Sequence, residues 1–166
     1  MGTSTNGILA YGYHFGSEDS LLIREAQESD TNPDGYFVNS WYDYRTTMTV
    51  DYEKVDGALD PIEAMTKRLY DSIPDAPPAE DDWDRANVVK GRLGVWFEAH
   101  CSGDYPMYVL TTKVLTAHRG DADVVPISDL RQRQDEWDGL LARALQLLDV
   151  TPTQARPEWL LCSYWG

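Results

Sequence analysis

In residues 91–119, two runs of alternating apolar and polar positions flank the segment Ser102-Gly103-Asp104-Tyr105-Pro106. Val, Leu, Trp, Phe, Tyr and Thr dominate both runs, and the turn residues between them predict a β-hairpin. Setting Cys101 opposite Pro106 places Ala99 against Tyr108, Phe97 against Leu110, Val95 against Thr112 and Leu93 against Val114. One face of that hairpin is nearly all apolar. The other carries Trp96, Glu98, His100, Met107, Thr111 and Lys113. Such alternation predicts a sheet with one face on a core and the other at least partly solvated.

Residues 7–15 alternate in the same way. Leu9, Tyr11, Tyr13 and Phe15 fall on one side, and Ile8, Ala10, Gly12 and His14 on the other. The small Ala10 and Gly12 predict a helix packed closely on their face. Asp60-Pro61 opens a helix, with the acid at the N-cap and proline in the first turn. Its stripe is Ile62, Met65, Leu69 and Ile73, widened by Tyr70, and Pro74 ends it. The acidic residues 75–84 then read as an exposed connection stiffened by Pro77-Pro78. A second helix starts near Ser128-Asp129 or Asp135 and carries Leu130, Trp137, Leu141, Ala144 and Leu148 on one stripe. Residues 158–165 read as a buried strand. Residues 17–58 resist assignment: 21–23 suits a short strand, 29–35 a loop, and 36–53 either regular structure or both.

With 17–58 treated as an insert, the order is β-α-β-β-α-β. This predicts one α+β domain over residues 1–166, an antiparallel sheet of about four strands with two helices on one face. The ferredoxin-like, split-βαβ plan has that order, with the first strand and the second hairpin strand central.

Composition narrows the function classes. Six Trp, ten Tyr and three Phe supply enough apolar area for a folded core in 166 residues. No apolar run reaches the length of a transmembrane helix, and the first fifteen residues lack the basic start of a signal peptide. A cytoplasmic setting is the expectation. Residues 17–84 hold eighteen acidic and five basic residues, a net of −13 out of −14 for the chain. A field of that sign argues against gripping nucleic acid and favours a basic protein surface as partner.

Candidate chemistry is sparse. There is no phosphate-binding glycine loop and no close-spaced His/Cys ligand motif, so neither cofactor nor metal is expected. Cys101 and Cys162 read as small buried residues, and strand alternation sends His100 and Cys101 to opposite faces, which separates an imidazole from its neighbouring thiol. Asp104 and Tyr105 sit on a hairpin tip that could present them to a partner. Asp81, Asp82 and Asp84 could imitate phosphates. Tyr11, Tyr13, His100 and Tyr164 are the candidates for lining a pocket between the sheet and the 17–58 insert.

Three stretches resemble a group of small uncharacterised proteins encoded by phages of actinobacteria: residues 4–13 (STNGILAYGY), 100–108 (HCSGDYPMY) and 157–166 (PEWLLCSYWG). The resemblance implies a phage origin and a bacterial host cytoplasm, and it carries over no catalytic residue. The resulting expectation is an acidic phage accessory protein that binds a host protein, as an inhibitor or anti-defence factor, through 17–58 and 75–84. The alternatives are a small enzyme or ligand-binding protein with the pocket named above, and a homo-oligomer formed through the sheet face or an edge strand.

Overall fold

The computed structural model describes residues 5–51 and 53–165. The chain is α+β: a five-stranded, mostly antiparallel sheet with helices packed on one face. The strands are β1 (Thr5–Ser17), β2 (Ser20–Leu21), β3 (Trp96–Cys101), β4 (Pro106–Ala117) and β5 (Glu158–Trp165), in the order β2-β1-β4-β3-β5. β1 also pairs along its length with β5, so β1 and β4 lie side by side at the centre. The helices are α1 (Pro61–Asp71), α2 (Asp82–Leu93), α3 (Ile127–Gln132) and α4 (Gln134–Leu148).

The molecule departs from the plain β-α-β-β-α-β plan in three ways. Among the described residues four helices stand where two were predicted: residues 82–93, expected as part acidic loop and part strand, form α2, and the second predicted helix is split at Arg133 into α3 and α4. The predicted insert is irregular apart from β2 and two short 3-10 turns, Arg24–Ala26 and Tyr44–Thr47. Finally, a single parallel bridge, Cys101 to Tyr164, draws β5 toward β3 and curls the sheet.

The hairpin register is the expected one from Phe97–Leu110 to Cys101–Pro106. Its far end is not. Leu93 ends α2, so it does not form the strand pairing with Val114 assigned to it. The face assignment also fails beyond Leu110. β1 pairs Tyr11 with Lys113 but Gly12 with Thr111, leaving Thr112 as the extra residue of a bulge. A bulge exchanges the two faces for everything beyond it. Leu110 and Leu115 therefore both face the helices, and Val109 and Val114 both face away. Thr111 ties the irregularity down by donating its hydroxyl to the Tyr11 carbonyl at 2.8 Å.

The large core lies between sheet and helices. Phe15, Leu110, Met65, Leu69, Leu141 and Leu148 are among its fully buried members. The helices pack on the Tyr11–Phe15 side of β1, not on the Ala10–Gly12 side. Gly12 serves a different close approach: a Cβ there would sit 1.9 Å from the Leu110 carbonyl oxygen. The 17–58 segment joins the same core through Ile23, Ala26 and Phe37. It is tied to the end of α4 and the segment after it by Trp41 Nε1 donating to the Leu148 carbonyl at 2.7 Å and Thr151 N–H donating to the Glu25 carboxylate at 2.9 Å. A smaller cluster of Ile8, Ala10 and Val109, ringed by Val114, Leu160, Cys162 and Tyr164, occupies the inside of the curl.

Candidate functional site

The first turns of α1 and α2 converge on one apolar groove. Its floor is Ile62, Thr66 and Leu69 of α1, Ala86 and Val89 of α2, and Trp96 and Phe97 of β3, and its volume is about 230 Å³. Glu63, Asp82 and Trp83 form the rim. Trp83 is 73% exposed, a large apolar side chain left in solvent beside an apolar surface. A Trp burying only a fraction of its area forgoes stabilisation that every core aromatic here receives. Lys90 reaches the same region, its ammonium 4.0 Å above the Trp96 ring, while Trp96 Nε1 donates to Glu98 at 2.6 Å.

Local sequence explains why these residues stand there. Asp81 caps α2 by accepting the Asp84 N–H at 2.8 Å, and Asp84 accepts the Glu80 N–H at 3.2 Å. Asp82 pairs with Arg85 one turn on. In α1 the Glu63 carboxylate accepts the Asp60 N–H at 3.1 Å, and Lys54 bridges Asp60 and Glu63 at 2.7 and 3.9 Å. Carboxylates in a helix's first turn face its positive end.

The negative potential reaches into the structure beside the groove. Burial, then the charges of Asp60 and Glu63, push the Glu18 carboxyl up to about 7 against the partial relief of Lys54. Burial and the same acidic groups, Glu18 first, push the Tyr108 hydroxyl up to about 12. Glu18, in the turn between β1 and β2, and Tyr108, on β4, thus both feel the carboxylates where α1 begins.

The predicted site residues divide among four places. Asp81, Asp82 and Asp84 are at the start of α2, on a helix and not on a loop, and each already has a partner inside the protein. Asp104 and Tyr105 are at the hairpin tip, where Tyr105 is 80% exposed and its N–H donates to the Ser102 hydroxyl at 3.1 Å. Tyr11 and Tyr13 are on the helix side of the sheet. Tyr11 is 4% exposed, its hydroxyl donates to Asp138 at 2.7 Å, and its ring packs on Trp137 and Trp159. His100 and Tyr164 face the inside of the curl. The pocket foreseen between sheet and insert does not bring these four together. Instead, His100 lines a separate hollow with His14, on the face away from the helices.

That hollow also corrects the separation of His100 from Cys101. Cys101 has φ 77°, a left-handed conformation that breaks strand alternation, and both residues line the hollow. Trp83, Glu18 and His14 were not singled out from sequence. For Trp83 only part of the signal was present: Asp81-x-x-Asp84 followed by Gly94 brackets a helix with Trp83 in its first turn, but no apolar stripe marks which way that helix faces. Among the described residues no three His, Cys, Asp or Glu side chains converge to hold a metal ion, and no helix is long and apolar enough to cross a membrane.

Comparison with protein-family models, with curated proteins and with solved structures finds no match.

Proposed function

We propose that the chain is an acidic interaction protein, a phage accessory factor that binds a host protein through the α1–α2 groove. The partner presents one large apolar side chain flanked by Lys or Arg. The observation that carries this reading is Trp83, 73% exposed at the lip of an apolar groove whose rim is acidic. Binding surfaces concentrate their energy in such aromatic anchors, while the charged surround steers encounter and selects the partner.

Size favours a protein partner over a small ligand at this groove. About 230 Å³ falls below the roughly 300–1,000 Å³ of ordinary small-molecule sites, but it accommodates one anchoring side chain. The carboxylates' own bonds favour a groove over phosphate imitation: Asp81 and Asp84 cap the helix and Asp82 holds Arg85, so none of the three is spare.

The test is capture from host lysate by the wild-type chain, by Trp83→Ala and by the triple variant Asp81→Asn, Asp82→Asn, Asp84→Asn, at low and moderate salt. The expected result is a basic protein retained by the wild type, released as salt rises, and lost with Trp83→Ala. A partner held equally by Trp83→Ala would move the interface elsewhere. A partner lost with the triple variant but indifferent to Trp83 would restore the purely electrostatic reading.

A further inference from the structure

We propose that the hollow between β1, β3 and β5 binds a small uncharged molecule with an apolar body and a hydroxyl head, held by His14 and His100. The two imidazoles come from different strands and meet inside the curl with ring centroids 5.6 Å apart. The Nε2 atom of each is buried and has no hydrogen-bond partner in the protein, and His100 as a whole is only 9% exposed. Buried polar atoms are nearly always paired, so two unpaired nitrogens on rings that meet at one hollow point to something that pairs with both.

The chemistry of the walls selects the occupant. Met107, Trp159, Leu160 and Cys162 line the hollow, and no Asp, Glu, Lys or Arg does. Burial lowers the affinity of both imidazoles for a proton, His14 adding to the effect at His100, and raises that of the Cys162 thiol. All these groups are therefore uncharged at neutral pH, and a carboxylate or phosphate would find no counter-charge. A neutral imidazole offers at Nε2 either a lone pair or an N–H. A hydroxyl donates to the first and accepts from the second, so one head group satisfies both rings. An ammonium can only donate. A metal ion would need a third ligand that the described residues do not bring within reach. A lone water has the right head but leaves the apolar wall uncovered, and the volume, about 440 Å³, falls within the range of small-molecule sites.

The probes are 1-hexanol and phenol, with toluene and hexanoate as controls, titrated into the intact chain and followed by NMR of the histidine ring and Met107 methyl signals. The expected result is saturable change at His14, His100 and Met107 with either alcohol, and binding at least about ten-fold weaker for toluene and hexanoate. His100→Phe and His14→Phe should each weaken the alcohols by a similar factor, and the second variant serves if the first does not fold. The proposal is overturned if neither alcohol gives a saturable change, if toluene binds as tightly as phenol, or if hexanoate binds best. Unchanged alcohol binding in a folded histidine variant would overturn it equally.

Discussion

Gly12 has a negative φ and sits in the middle of a long strand, where a glycine normally weakens the structure. Its place is fixed by the backbone of β4. The bulge at Thr112 brings the Leu110 carbonyl so close that a Cβ would sit 1.9 Å from it. Gly12→Ala is expected to cost about 2 kcal/mol or more in urea unfolding, because backbone, not a flexible side chain, must move. A neutral outcome would mean that the bulge relaxes at no cost.

Glu18 makes a second argument at this scale. Its carboxyl is held near 7 in the folded chain against an ordinary 4.5. Between those values the folded state keeps a proton that the unfolded state has released, so stability falls as pH rises through the window and the loss is complete above it. Glu18→Gln is expected to stabilise the protein at pH 8 by about 1 kcal/mol, after allowance for solvent screening of a part-exposed group, with the gain shrinking toward pH 5. His14 and His100 act in the other direction: their lowered proton affinity makes the folded state resist protonation, so stability falls as pH drops below their ordinary 6.5. Denaturant titrations of wild type and Glu18→Gln across that range check both signs.

At the scale of elements, sequence patterning succeeded where burial is one-sided. α1 and α4 bury the stripes read from spacing, Ile62, Met65 and Leu69 in one and Trp137, Leu141, Ala144 and Leu148 in the other. It failed at α2, where Val89 alone is buried and no stripe exists to be read. That helix is held by its ends: the Asp81–Asp84 box at the start and, at the finish, Gly94 at φ 71° donating its N–H to the Lys90 carbonyl. Asp81→Ala is therefore expected to cost about 1 kcal/mol, as lost caps generally do, seen as a lower urea midpoint and as faster amide exchange in residues 82–85. The hairpin register was legible because both strands alternate cleanly near the turn. The faces beyond Leu110 were not, since a bulge leaves no mark on polarity.

The same division explains how much of the site could be read. The acidic excess is a matter of counting, and the carboxylates at 81, 82 and 84 do rim the groove or cap its helix. The groove itself depends on two helices meeting, one of them invisible to periodicity, so Trp83 could not be recognised as its anchor. The paired histidines were hidden for a different reason. His14 and His100 are 86 positions apart and meet only because the sheet curls at the Cys101–Tyr164 bridge.

At the scale of the whole molecule, the net charge is concentrated in one stretch of the chain, while the hollow on the far face of the sheet is lined by uncharged side chains. Nearly all the net charge lies before residue 85, and the carboxylates at the start of α1 add to burial in raising the Glu18 carboxyl and the Tyr108 hydroxyl. On the opposite face of the sheet lies the hollow lined by His14 and His100 and, among the described residues, by no Asp, Glu, Lys or Arg. The two surfaces call for different partners, and only the first explains an exposed Trp. The measurement that tests this most directly is anisotropy of a labelled amphipathic helical peptide of leucine and lysine, titrated with wild-type and Trp83→Ala protein at about 50 and about 300 mM salt. The account predicts saturable binding that weakens with salt and is lost in Trp83→Ala, with no binding of a leucine–glutamate counterpart. Equal binding by Trp83→Ala, or no binding of the lysine peptide at low salt, would contradict it.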